Sequence, residues 1–176
     1  MTRSYFLKTD RTAFSTWQDG DITLAKLLWG NADVTKYICA SGKFTASEIE
    51  ARLNTEIYNN KKYNFQYWPF FEQKTDELIG CCGLRPHSEN RLEIGFHLRP
   101  KFWGRGYAVE AASAVIGYAF TVLDTESLFA GHNPNNTASQ KVLSKLGFKY
   151  IGDEFYKPTG LYHPSYQLTA SDFKKQ

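Results

Sequence analysis

From Arg99 to Ala108 the chain reads RPKFWGRGYA, in which Arg99 is followed by two glycines and two further bases, Lys101 and Arg105, ahead of an alanine-rich run. A strand that ends in such a turn and continues into a helix leaves the first backbone N–H groups without intrahelical partners, pointing outwards at the positive end of the helix dipole. That is a place for an anion. Gly104 and Gly106 put no side chain in the way of a phosphate, and Lys101 and Arg105 add charge at its rim. The same spacing also serves as a plain tight connection. A dinucleotide fingerprint would need a third glycine, where Val109 stands, and an acidic residue about twenty positions later. Just upstream, RLEIGFHL (Arg91–Leu98) alternates. Leu92, Ile94, Phe96 and Leu98 share one face, and Glu93, Gly95 and His97 the other. Four residues of extended chain hold His97 roughly 13 Å from Glu93, too far for the two to share one proton.

The elements that must carry these residues follow from patterning. Arg11–Trp17 reads as a first strand, and Asp21 as the cap of a helix through ITLAKLLW. Thr45 with Glu48 forms a capping-box pattern, and Ile49, Leu53 and Ile57 repeat at helical spacing through Tyr58, with Asn59-Asn60-Lys61-Lys62 read as the end. Tyr63–Phe71 and Glu77–Leu84 are rich in strand formers and predict a hairpin across EQKTD. In the first of these, Tyr63, Phe65, Tyr67 and Phe71 fall on one face, and Trp68 and Phe70 on the other. Most of these rings read as sheet core, and the face that meets the first two helices, with Trp29 or Tyr37, is a candidate wall for an apolar or cationic ligand. After the glycines come a helix (Ala108–Thr121), a strand (Ser127–His132), a helix (Asn136–Leu146, ended by Gly147) and two strands near FKYIGDEF and YHPSYQL, joined by Pro158-Thr-Gly160. The fold class is α/β or α+β with a central mixed sheet, and one domain over 1–176 is expected.

Composition narrows the function classes. The net charge of +3 is spread over 21 basic and 18 acidic residues without a long run of either sign, which favours a small anionic ligand over a nucleic-acid duplex. Three cysteines leave an odd count, and Cys81 and Cys82 point to opposite faces of one strand, which fits a reduced, cytoplasmic setting. They have no metal-ligand spacing with histidines, so no metal is expected. The opening residues turn polar too early for a signal peptide, and the longest apolar stretch, Tyr107–Leu123, carries Glu110, Ser113 and Thr121, so no membrane span is expected.

The segment from Leu92 to Phe148 resembles the acyl-CoA-binding core of the Gcn5-related N-acetyltransferase (GNAT) superfamily. Lys101-Phe-Trp-Gly104-Arg-Gly106 matches its Gln/Arg-x-x-Gly-x-Gly/Ala turn, with lysine replacing the usual first residue. LEIGFHLRPKFWGRGYAVEA, followed by the Asn133–Phe148 block, is similar to the ribosomal-protein N-terminal acetyltransferase branch. The resemblance implies a mostly antiparallel sheet in which a splayed strand pair receives the cofactor arm. It implies that Trp103, Tyr107 and Ala108, with the glycines and bases already named, form the pyrophosphate turn, that Phe96 and Leu98 flank the arm, and that Asn133 and Asn136 contact it. Asn136 reads equally as a helix N-cap. Glu93 is implied as the general base, through a water, and Ser139 as the donor to the departing thiolate, because the usual tyrosine position falls on Leu143. The residues' own alternatives are a strand glutamate paired with a neighbouring base and a solvent-facing helical serine. His163 and the helical lysines Lys141 and Lys145 are further candidates, each with an ordinary surface role as its alternative. The function implied is acetyl-CoA-dependent acetylation of a primary amine on a protein N-terminus or a small molecule, by direct attack in a ternary complex. A monomer or homodimer is expected, and a non-catalytic CoA-binding module is the rival reading.

Overall fold

The computed structural model describes residues 3–88 and 91–175. Eight strands form one sheet: β1 (Leu7–Lys8), β2 (Thr12–Phe14), β3 (Tyr67–Glu72), β4 (Leu78–Ser88), β5 (Arg91–Leu98), β6 (Ser127–Gly131), β7 (Lys149–Tyr156) and β8 (Leu161–Thr169). Their order across the sheet is β1-β2-β3-β4-β5-β6-β8-β7. All neighbours are antiparallel except β5 and β6. The helices are α1 (Ile22–Trp29), α2 (Ala32–Thr35), α3 (Ala46–Tyr63), α4 (Tyr107–Thr121), α5 (Thr137–Lys145) and α6 (Ala170–Phe173).

The sheet separates two apolar clusters. On one face Ile94 and Leu98 of β5 and Leu128 of β6 pack under Ala111, Val115 and Ile116 of α4 and Leu143 of α5. On the other, Tyr67, Phe71 and Cys81 pack under Leu28 and Trp29 of α1 and Ile49, Leu53 and Ile57 of α3. Cys81 and Cys82 therefore do point to opposite faces, and all three cysteines are free thiols. Among the described residues no helix is long and apolar enough to cross a membrane.

Several boundaries move. The run Asn59–Lys62 does not end its helix, since α3 continues to Tyr63 and stops at Asn64 in the left-handed conformation, φ 62°. Lysines in a last turn face the negative end of the helix dipole, so Lys61 and Lys62 favour the helix they were expected to break. The following strand then starts at Tyr67, and the intervening turn resets its phase: Phe65 stacks on Tyr63 and packs in the α4-side cluster, opposite Tyr67. The first strand is cut to Thr12–Phe14 because Trp17 leaves the ladder, its N–H going to Gln66 Oε1 and its indole to the Tyr67 carbonyl. Asp21 does not cap α1 with its side chain. Its carboxylate accepts from the Gln18 N–H and from Arg3. The Thr45–Glu48 capping box and the Asn136 cap form as expected.

Candidate active site

The site starts from a ladder that stops early. β5 pairs with β4 along its whole length, but with β6 only through Arg91–Ser127, Leu92–Leu128 and Glu93–Phe129. Beyond Glu93 the two strands part. Arg99 gives its N–H to Ile79 on the β4 side. Backbone groups alternate along a strand, so those of Phe96 and Leu98 are turned towards the opening. The Leu98 carbonyl is taken by the Trp103 indole at 2.8 Å, which leaves the Phe96 backbone groups and the Leu98 N–H facing the gap.

A groove of about 390 Å³ runs from that opening to the start of α4, lined by Phe96, Leu98, Trp103, Gly104, Gly106, Tyr107 and Ala108, and from α5 by Asn136, Ser139, Lys141 and Lys145. Gly104 and Gly106 are left-handed, φ +70° and +79°, a conformation that L side chains adopt at a cost. An added Cβ at Gly104 would meet nothing, so this glycine is demanded by backbone shape and not by crowding. Gly106 occupies the N-cap of α4 with no side-chain hydrogen bond. The turn is braced from β1–β2. Arg11 donates to the Arg105 carbonyl and to Glu110 and lies 4.3 Å over the Tyr107 ring, while Thr9 also donates to Glu110. Burial alone would raise the Glu110 carboxyl, but these hydrogen bonds outweigh it and hold it below its ordinary range.

Across β5 lies a cavity of about 420 Å³ on the α1–α3 side. Tyr67 forms its floor. The ring lies over Gly95, where any Cβ would collide with it, and its hydroxyl donates to Glu93 Oε1 at 3.3 Å. Burial, then the Glu93 charge, pushes the phenol well above its ordinary value, so it stays a donor. His97 packs edge-on to Tyr67, ring centroids 5.8 Å apart, and its Nδ1 accepts from the Trp29 indole at 3.3 Å. An indole can only donate, so the neutral ring carries its proton on Nε2. Burial and the nearby charges of Arg52 and Arg85 push His97 well below its usual range, so it remains neutral. Behind this wall the fully buried Glu56 accepts from the Tyr67 N–H at 2.8 Å and pairs with Arg85. His132 donates from Nδ1 to the Asn133 carbonyl at 2.8 Å, which leaves its buried Nε2 lone pair without a partner among the described residues. Groove and cavity meet at Tyr37, Ile38, Phe96, His97, Asn136 and Ser139.

The family model for the acetyltransferase (GNAT) domain matches residues 11–149. The chain belongs to the GNAT acetyltransferase family. This GNAT chain is 33% identical to YkkB of Bacillus subtilis (strain 168) over 162 residues, covering 89% of this chain and 93% of that protein. It is 32% identical over 150 residues to the N-acetyltransferase p20 of Bacillus licheniformis, covering 83% of each. Among solved structures, RimL, the ribosomal L7/L12 α-N-protein acetyltransferase in complex with coenzyme A, has a TM-score of 0.81 over 96% of this chain and 99% of its own, at 14% identity, which shows a shared fold. The splayed, mostly antiparallel sheet is thus the GNAT fold, and the chain is an acetyl-CoA-dependent N-acetyltransferase.

Of the residues singled out from sequence, Phe96, Leu98, Trp103, Gly104, Gly106, Tyr107, Ala108, Asn136 and Ser139 come together along the groove, and Glu93, Asn133 and His163 line the cavity. Lys101 and Arg105 line neither. Lys101 is ion-paired with Glu77, and Arg105 lies 3.8 Å from Glu72. The bases that do line the groove are Lys141 and Lys145. Asn136 spends its side-chain oxygen on the Ser139 N–H, leaving the Ser139 hydroxyl without a partner among the described residues. Leu143, at the tyrosine position, is buried core. Arg52, Glu56 and Arg85 were missed, although Arg52 and Glu56 fall at i+3 from Ile49 and Leu53 on the apolar stripe of α3. A charge on such a stripe is the available signal. Among the described residues no group of three or more His, Cys, Asp or Glu side chains could hold a metal ion.

Proposed function

We propose that the chain acetylates a primary amine by direct attack on the acetyl-CoA thioester, with Glu93 as the general base and Ser139 as the hydrogen-bond donor to the departing sulfur. The observation that carries this reading is the junction: groove and cavity open into each other beside Phe96, with Glu93 in the cavity and the free hydroxyl of Ser139 on the opposite wall. The groove suits an acyl-CoA, since the bare N-terminus of α4 can take its pyrophosphate and the Phe96 peptide can pair with its amide arm as an added strand would. Acetyl-CoA supplies an activated acyl group.

The protein then has to remove a proton from the acceptor ammonium and stabilise the charge that develops on oxygen and sulfur. Arg85 is ion-paired with Glu56, so among the described residues the Glu93 carboxylate has the Tyr67 phenol as its one hydrogen-bond partner and can take a proton, directly or through a water. The amine nitrogen forms the new C–N bond, the C–S bond breaks, and Ser139 hydrogen-bonds the thiolate until solvent protonates it. The acceptor is a protein N-terminal amine, as the name of the fold relative RimL suggests, or a small-molecule amine, for which a cavity of about 420 Å³ has room.

The test is thiol release with a panel of amines, alongside calorimetric binding of acetyl-CoA. Glu93→Gln should bind acetyl-CoA like the parent and lose about 100- to 1,000-fold in kcat. Unchanged turnover in this variant overturns Glu93 as the base.

A further inference from the structure

Resting on the acyltransferase reading above, we propose that the acceptor amine carries a carboxylate, and that Arg52 binds it. The wall of the acceptor cavity presents four charges from α3, β4 and β5: Arg52, Arg85, Glu93 and, behind them, Glu56. Two of these cancel, because Arg85 and the fully buried Glu56 are ion-paired. The other two are left open. Among the described residues Arg52 has no carboxylate at ion-pair distance and no hydrogen-bond partner. It is held only by the rings of Trp29, 5.1 Å away, and Phe44, 5.6 Å away. Its Nε is sealed from solvent and unsatisfied. Among the described residues Glu93 likewise has no cation at ion-pair distance; Arg85, opposite it across β4–β5, feels its charge but gives its guanidinium to Glu56.

A guanidinium in such a place costs free energy unless an anion meets it, since buried charges are ordinarily paired. Burial, then the like charge of Arg85, pulls the Arg52 guanidinium below its ordinary value, and the opposing charge of Glu56, itself paired with Arg85, does not outweigh them. A bare amine or a polyamine would bring only positive charge to a wall that already holds an uncompensated arginine. An amine that also bears a carboxylate answers both open charges, its ammonium facing Glu93 and its carboxylate facing the planar fork of Arg52. The remaining carboxylate around the cavity, Glu154, is exposed on β7 and leaves the inner wall unchanged.

The carboxylate can come from a free amino acid or from an acidic side chain next to a peptide N-terminus, and matched substrates separate the two sources. Thiol release would be followed at saturating acetyl-CoA with α-amino acids against their amides, and with C-terminally amidated peptides beginning Ala-Asp against Ala-Asn. The expected result is that the carboxylated member of at least one pair is preferred by about 30- to 100-fold in kcat/KM, expressed mainly in KM. In Arg52→Met, which keeps the stem between the two rings, the ratio within that pair should fall to near one, and Arg52→Lys should restore part of it. Equal use of acids and amides, turnover of cationic amines alone, or a ratio that survives in Arg52→Met overturns the proposal while leaving the acyltransferase reading intact. Thiol release from no amine at all overturns that reading and this one with it.

Discussion

His97 sits where the groove meets the cavity, yet its environment removes it from proton traffic. A histidine whose folded pKa lies below its unfolded value binds fewer protons in the native state than in the unfolded chain. Acidification from about pH 6.5 therefore favours unfolding. His163 is displaced in the same direction by burial and by His132, so both histidines act in this window, above the range where the depressed carboxylates Glu72, Glu77 and Glu110 protonate. Denaturant titrations should show stability falling between pH 6.5 and about 5, by at most about 1.4 kcal/mol per pH unit for each histidine. His97→Gln, whose amide oxygen can still accept from Trp29, should reduce the slope by up to one proton, and an unaltered slope would assign the effect elsewhere. Ser139 makes a second case at this scale. Its hydroxyl holds no structural bond among the described residues, so Ser139→Ala should leave stability within about 0.5 kcal/mol. The same change should lower kcat by roughly tenfold if the hydroxyl serves the thiolate. Loss of stability with unchanged kcat would give it a purely structural role.

Glycines in neighbouring elements impose opposite constraints. At Gly95, in the middle of β5, the backbone is ordinary and the space is absent, because Tyr67 occupies it. At Gly104 the space is open and the backbone is left-handed. Gly95→Ala should therefore displace the buried Tyr67 ring, cost about 1–3 kcal/mol through overpacking, and break the phenol–Glu93 contact, so that kcat falls with acetyl-CoA affinity kept. Gly104→Ala should cost about 1–2 kcal/mol in backbone strain and weaken acetyl-CoA binding, because relief of the strain moves the turn. Comparing kcat with acetyl-CoA affinity for the two variants checks this, and identical profiles would refute the division of the site into turn and floor. The same contrast explains what was legible beforehand. The turn could be read because its glycines and following helix are contiguous, although its bases, Lys101 and Arg105, face Glu77 and Glu72 and not the groove, and α3, β5 and α5 began where caps and alternation placed them. The floor could not, because Tyr67 meets Gly95 across two strands, and a helix end misplaced by a few residues had assigned Phe65 to the wrong face. Arg52 reaches Trp29 through tertiary packing that no local pattern encodes.

At the scale of the molecule, the sheet is weakest beside the groove, where β5 and β6 part. β1–β5 and β6–β8–β7 are joined through three residue pairs of a parallel ladder, and only the α4-side cluster, from Ile94 and Leu98 across to Leu128 and Leu143, continues over that seam. On the far side the seam is open. The groove takes one wall from β5 and the start of α4, and the other from α5 with Ser139, Lys141 and Lys145, so a ligand in it bridges the two parts of the sheet and completes the pairing that β6 abandons after Phe129. A ligand that binds only the native chain stabilises it by mass action, by about 2.7 kcal/mol at a hundred times its Kd. For a chain of this size each kcal/mol is worth about 2–4 °C, so acetyl-CoA at that concentration should raise Tm by roughly 5–11 °C. Because the bridge is local, amide exchange should slow most around Phe96 and in the first turn of α4, with little change in β2–β3 at the other end of the sheet. A rise in Tm with protection spread evenly would mean general stabilisation of the fold. Protection confined to the seam and the α4 turn would mean that the gap between β5 and β6 is filled by the acyl donor, as a missing strand would fill it.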